Sequence, residues 1–455
     1  MFEPNKELKS LKGTGDLITN DKKIPIRFSV QQTYDGKIGG NIEINEKNGV
    51  KYFRDIHKAF RMGSQNAITG STVDKSSIKI NGIFITSYNT GYNEEEGNFL
   101  KNIRFNALEI INDYGNYFRG DNISIEFGIT NLQTPFRKIK TNFGKISFIP
   151  IEEIEKQEKT IREISRLRYP CFTALIKVES PELSRFQNIN DLIDHVVRKI
   201  KDLLMISSFS QGLWQDWVYV SIYKKQDQKE NLIYEKMKTP KSKSSQREMI
   251  IPYMSNKQYL ETSYEIYSKI KNETGLDLAI EWYIEGLSGD VIENSYVMFY
   301  TALECLVHRY AEHEKEYIFP EDNKWEEFKN KIKKEIKKIL IDMGKDNKER
   351  ASVYRSLEAL RRRSFNELLE DFLNKYKIGY TDLIKDLGEP KRIRNNIIHK
   401  GQAYAPFQET VKNFNSIKAL LQRIILSLLN CDGINTNERQ GISNPFNRDP
   451  KGDYK

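Results

Sequence analysis

The stretch IENSYVMFYTALECLVHRY, residues 292–310, decides the fold of the second half of the chain. It predicts a helix with apolar and aromatic residues on nearly every side, as suits a central helix covered by others. Around it the hydrophobic pattern recurs at helical spacing. Leu260, Tyr264 and Tyr267 share one face of a helix that Ser255 is placed to cap. WEEFKNKIKKEIKKIL (325–340) turns Trp325, Phe328, Ile332, Ile336 and Ile339 to a core side and six lysines elsewhere. ERASVYRSLEALRRRSFNELLEDFLNKY (349–376) supplies one or two more helices, and ETVKNFNSIKALLQRIILSLLN (409–430) the last long one. An α-helical bundle is expected.

The first half has a different period. KIPIRFSV (23–30), GNIEI (40–44), IKINGIFI (78–85), ISIEFGI (123–129), KISFI (145–149), FTALIKV (172–178) and WVYVSIY (217–223) alternate or run apolar as strands do. Asn81-Gly82 is the kind of pair that closes a tight hairpin. DLIDHVVRKIKDLLMIS (191–207) interrupts them as a helix, with Leu192, Val196, Ile200 and Leu203 in register. The polar run at 224–246 suits an interdomain connection. The expected fold class is therefore α+β: a β-rich mixed domain over 1–240, an α-helical domain over 247–431, and a flexible tail over 433–455.

The 455 residues and 53.3 kDa fit two or three domains. No apolar run reaches the roughly eighteen residues that a membrane span needs. MFEPNKELKSLKGTGD at the start has no signal-peptide apolar stretch, and Cys171, Cys305 and Cys431 form no disulfide or metal pattern. A cytoplasmic protein with no membrane partner is expected. Its net charge of +9 permits a polyanionic partner without demanding one. No glycine-rich phosphate loop marks nucleotide hydrolysis.

RIRNNIIHKG (392–401) carries one of five histidines. Pro390 suits the first turn of a short helix and Gly401 its end. At about 100° per residue, Ile393 and Ile397 make the packed face, while Asn395 and His399 share another. Arg394 lies roughly 140° from His399, so a rigid helix does not aim both at one atom. The arginine stem must bend, or a second copy must supply the complement across a dimer axis, giving a composite site of two arginines and two histidines.

These residue types suit cleavage of RNA. Imidazole transfers protons near neutral pH, and guanidinium grips phosphate oxygens in a bidentate way that lysine does not reproduce. Asn395 can orient the imidazole or hold a phosphate oxygen, and no metal or other cofactor is required. Arg392, Asn396 and Lys400, on the same segment, are candidate substrate contacts. The plainer alternative is a solvated helix end, where Arg, His and Lys favour the negative pole of the dipole.

Glu304, within TALECLV, is a carboxylate among apolar neighbours and needs a partner. It can hold Arg394 or His399 as part of the site, or pair locally with His308. The clusters KNKIKKEIKK (329–338) and LRRRS (360–364) can track RNA or simply form the wet side of a helix. Trp214, Trp217 and Trp282 are expected in cores rather than as base-stacking platforms. His308 and His313 lack the acidic pattern of a metal set, and no cysteine has a base at recognisable spacing.

The order of FYTALECLV, intervening helices, RNNIIHKG and one last long helix resembles the HEPN superfamily, most nearly the Apea-like HEPN proteins of bacterial defence. The resemblance covers about residues 290–431. Its signature, R-x(4 to 6)-H with a polar residue after the arginine, falls on Arg394, Asn395 and His399. It implies a metal-independent endoribonuclease, active as a homodimer through this domain, that leaves a 2′,3′-cyclic phosphate and a 5′-hydroxyl. It further implies that Arg394 and His399 are catalytic, that Asn395 supports them, and that Glu304 occupies a position where relatives carry an acid. On this resemblance the expected role is antiviral defence by cutting RNA, with tRNA one candidate substrate. The β-rich half would then answer a phage-derived or cellular trigger. The alternatives are a non-catalytic RNA- or nucleotide-binding protein and a dimerising scaffold.

Overall fold

The computed structural model describes residues 4–19, 22–62, 66–93, 97–115, 122–152, 156, 159, 170–226, 229–241, 248–289, 291–313, 317–318, 321–401 and 406–431. It has a β-rich N-terminal region followed by a helical C-terminal region, an α+β protein. Two compact units divide the chain, Met1–Glu265 and Ile266–Lys455.

In the first unit, the strands β1 (Glu7–Thr19), β2 (Lys22–Thr33), β3 (Ile38–Glu43), β4 (Asn66–Thr72), β5 (Ser77–Asn93) and β6 (Gly97–Ala107) form a ring in the order β4-β1-β2-β3-β6-β5, which a β4–β5 pairing closes. Every pair in the ring is antiparallel. Leu17, Ile24, Ile42, Ile68, Ile80 and Ile103 are fully buried in its core, the inward half of the alternation visible in the sequence. Two short helices, α1 (Glu46–Lys51) and α2 (Phe53–Met62), connect β3 to β4.

The sheet continues beyond the ring as β7 (Glu109–Asp113), β13 (Lys229–Lys238), β12 (Trp217–Gln226), β8 (Ile123–Thr130), β11 (Phe172–Glu179), β10 (Lys145–Pro150) and β9 (Lys138–Lys140), in that order. The helix α3 (Ile189–Gln211) buries Leu192, Val196, Ile200 and Leu203 as its periodicity predicts, and ends at Gly212 in the left-handed region.

Three expectations are corrected here. Asn81-Gly82 closes no hairpin: it lies inside the 17-residue β5, where Gly82 takes φ +63°. There β5 exchanges its partner β7, which ends at Asn81↔Glu109, for β6, which begins at Phe84↔Asn106, so the glycine bends one strand between two partners. The polar run at 224–246 is largely not a connection but the β12–β13 hairpin. Lys225, Lys229 and Glu230 are exposed near its tip, while Ile233, Tyr234, Glu235 and Met237 are buried lower down; residues 242–247 lie outside those described. The boundary between units falls instead within helix α4 (Tyr253–Thr274), because its first half is tied to α3 by Tyr259 Oη donating to the Ile206 carbonyl and Tyr264 Oη to that of Lys199. Ser255 does not cap this helix: it lies inside the first turn, which Pro252 opens.

In the second unit, helix α6 (Ile292–His313) is central, as its all-round apolar character requires. It packs against α5 (Leu276–Leu287), α9 (Phe365–Lys375), α10 (Gly388–Lys400) and α11 (Phe407–Leu428). Phe299 stacks on Tyr283 at 5.3 Å and meets Phe414 at 5.4 Å. Between them α7 (Asp322–Asp342) and α8 (Asn347–Ser356) pair with each other. The stripe expected to bury five residues of α7 buries only Trp325, at 2% exposure, and Ile339 is 56% exposed, since among the described residues the main helix neighbour of α7 is the short α8. Any structure of the proposed tail from 433 onward lies outside the described residues.

One ion pair fastens the last helix. Arg423, buried on α11, meets Asp382 in bidentate fashion at 2.7 and 2.8 Å. The guanidinium holds the Asp382 carboxyl below its ordinary value of 3.8. A depressed carboxylate contributes stability above its unfolded pKa and loses it as pH falls through the lower folded value. Asp382→Asn should therefore remove part of the loss of stability seen below about pH 4 and lower stability at pH 7 by about 1–2 kcal/mol, since the carboxylate is half exposed. Urea melts of both proteins across that range test this.

Candidate active site

Helix α10 starts as its sequence directs. Pro390 lies in the first turn, where its missing N–H costs nothing, and the chain leaves at Gly401 with φ +77°. Ile393 and Ile397 are buried against α6, and Tyr296 Oη donates to the Pro390 carbonyl at 3.4 Å. This packing sets the remaining faces of α10.

Arg394 bends toward α6. Its Nη1 donates to Asn395 Oδ1 at 3.0 Å, Nη2 lies 3.7 Å from Glu304 Oε2, and the guanidinium stands 5.7 Å from the Tyr300 ring centre. The Arg394 and Glu304 side chains are 30% and 27% exposed, so the pair is only partly sheltered from water. Arg394 Nε is buried without a hydrogen-bond partner among the described residues. Burial, then the Glu304 carboxylate, raises the Tyr300 hydroxyl pKa against the opposing pull of Arg394, so Tyr300 stays protonated. Burial and Glu304 also raise the Cys305 thiol, which keeps it out of the thiolate form.

Of the two placements open to Glu304, the structure takes the one with Arg394; His308 is exposed and has no ion pair with it among the described residues. Arg394, Asn395 and Glu304 thus come together. His399 does not join them. It is exposed on the last turn of α10 and has no hydrogen bond or ion pair among the described residues. Arg392, 69% exposed, reaches Glu389 at 3.7 Å; Asn396 is half-buried and Lys400 exposed.

Tyr300 was not singled out in the sequence. The signal was available: it precedes Glu304 by four residues, which on a helix places both on one face. The basic clusters are substantially neutralised where they stand. Lys331 meets Glu327 at 2.6 Å, Lys338 meets Glu335 at 2.8 Å and Arg363 meets Asp371 at 2.6 Å. Trp214 and Trp217 are buried as expected, whereas Trp282 is 38% exposed, on a helix that turns its other aromatic, Tyr283, inward.

Among the described residues, no group of three or more His, Cys, Asp or Glu is placed to hold a metal ion, and no helix is long and apolar enough to cross a membrane. No known family model matches the chain, and no curated protein matches it.

Proposed function

We propose that the helical unit is a metal-independent endoribonuclease of the HEPN type, with Arg394 and His399 as its catalytic residues. The observation that carries this is the contrast on α10: an arginine held to a carboxylate on the neighbouring helix, and a histidine on the same short helix left open to solvent. Asn395 Oδ1 accepts from Nη1 and the Glu304 carboxylate stands 3.7 Å from Nη2, and together they orient the guanidinium before a phosphate arrives. His399, as general base, takes the proton from a ribose 2′-hydroxyl, which attacks the adjacent phosphorus. Arg394 stabilises the negative charge that grows on the phosphoryl oxygens. The O5′ leaves with a proton from a general acid, a role that His399 of a second copy can fill in a composite dimer. The products are a 2′,3′-cyclic phosphate and a 5′-hydroxyl. The proposed setting is bacterial antiviral defence in the cytoplasm, with the β-rich unit answering a trigger.

The test is incubation of the full chain with total RNA, with and without a chelator. Cleavage that persists in the chelator and disappears in Arg394→Ala and His399→Ala is expected. Cleavage that requires added Mg²⁺ contradicts the mechanism. Glu304→Gln removes the charge that orients Arg394 and should lower the initial rate by about ten- to a hundredfold while moving the melting temperature little.

A second reading, a non-catalytic RNA- or nucleotide-binding protein, has its own support in the same ion pair, because Glu304 alone gives Arg394 a structural partner. RNA retained equally by the parent and by His399→Ala, with neither cutting it, would establish that reading.

A further inference from the structure

The outer face of the six-stranded ring holds a cavity of about 390 Å³, within the usual size range of small-molecule pockets. Its walls are two cross-strand rows. One runs Ser71, Thr14, Arg27, Glu43 across β4, β1, β2 and β3; the next runs Lys12, Ser29, Asn41 across β1, β2 and β3. All of these residues lie on the face opposite the buried Phe28 and Ile42, because side chains alternate along a strand.

Glycines line the inner side of the β1–β4 seam, where Gly13 pairs with the buried Phe28. A Cβ on Gly13 would stand 2.1 Å from the Ser71 carbonyl oxygen, and one on Gly70 2.3 Å from that of Thr14. Only glycine lets β1 and β4 approach so closely there.

Lys12 and Arg27 are diagonal neighbours across β1 and β2, a spacing of roughly 7–8 Å at the backbone. Both are exposed, and neither forms an ion pair among the described residues. Arg27 stands directly opposite Glu43 in the β2–β3 ladder, yet the two are not paired. Elsewhere in this unit Lys9, Lys22 and Lys236 all engage carboxylates. The cavity therefore presents two uncommitted cations on β1 and β2, the hydroxyls of Thr14, Ser29 and Ser71 beside them, and on β3 the Asn41 amide and the Glu43 carboxylate, the latter next to Arg27.

We infer that this cavity binds a small phosphorylated sugar, as free sugar phosphate or nucleoside monophosphate. Lys12 and Arg27 hold the phosphate, with Thr14, Ser29 and Ser71 able to donate to its oxygens, and Glu43 and Asn41 accept hydrogen bonds from the sugar hydroxyls. A phosphate matches two converging cations and several donors, as a guanidinium fork and an ammonium require. Glu43 repels a bare anion and is rewarded only by a ligand that brings hydroxyl donors.

Calorimetric titration of the full chain with inorganic phosphate, ribose 5-phosphate and AMP tests this. Saturable binding is expected, with ribose 5-phosphate and AMP each at least tenfold tighter than phosphate. Lys12→Gln and Arg27→Gln should each weaken every ligand about tenfold, with melting temperatures unchanged because both side chains are exposed. Glu43→Gln should tighten inorganic phosphate and shrink the advantage of the sugar. Comparable affinity for AMP and ribose 5-phosphate places recognition on the ribose phosphate alone; tighter AMP binding adds a contact to the base. The inference is overturned if none of the three probes saturates, if the Lys12→Gln/Arg27→Gln double variant binds as the parent does, or if phosphate binds as tightly as both sugar ligands.

Discussion

His399→Ala is expected to abolish RNA cleavage, with a loss of at least about a thousandfold, and to relieve any growth arrest that follows induced expression of the parent. The basis is that general base catalysis and phosphate positioning act on one step, so removing either leaves little of the combined effect. Arg394→Ala should be as severe. Arg394→Lys is the sharper variant: it keeps the charge but loses the planar fork that Asn395 and Glu304 orient, and it should recover only a small part of the rate. An RNA oligonucleotide with a single 2′-deoxy residue at the scissile position should resist cutting there while remaining bound. Full cleavage at the deoxy position would remove the 2′-hydroxyl from the mechanism.

The second large effect concerns the scaffold. Phe299 is fully buried at the centre of α6, between Tyr283 and Phe414, and its ring also lies against Gly286. Phe299→Ala empties that space and should destabilise the protein by about 3–5 kcal/mol, read as a lower urea midpoint. Phe299 precedes Tyr300 and stands just over one helical turn before Glu304, so the loss should also loosen the carboxylate that holds Arg394. Phe299→Leu retains much of the volume and should restore most of both properties. An unchanged midpoint in Phe299→Ala would mean that α6 is not the central helix of its unit.

The elements that periodicity revealed are those whose burial is decided along one strand or helix. Ile24, Ile26 and Phe28 alternate inward, and Leu192, Val196, Ile200 and Leu203 line one side of α3. Where the outcome depends on a distant partner, the sequence misleads. Lys225 and Glu230 look like linker residues and are cross-strand partners, while Ile339 looks like core and is exposed, the short α8 being the main helix neighbour of α7 among the described residues. Asn81-Gly82 has the chemistry of a turn, and only the pairing of β5 with both β6 and β7 shows why the chain does not reverse there.

The candidate site was legible to a similar degree. Arg394, Asn395 and His399 stand out because they are close in sequence on one short helix. The choice of Glu304 between Arg394 and His308 depends on how α10 packs on α6, which spacing along either helix does not determine. Lys12 and Arg27 carried no signal at all: they are ordinary exposed strand residues until the ring brings β1, β2 and β3 side by side.

The central claim is that Arg394 and His399 act together on a ribose–phosphate linkage through its own 2′-hydroxyl. The chemistry of the cut ends tests it most directly. Fragments made by the purified parent in the presence of chelator should carry a 2′,3′-cyclic phosphate on one side and a 5′-hydroxyl on the other, so that the downstream fragment accepts label from a polynucleotide kinase without prior phosphatase treatment. Fragments ending in a 3′-hydroxyl and a 5′-phosphate would contradict it.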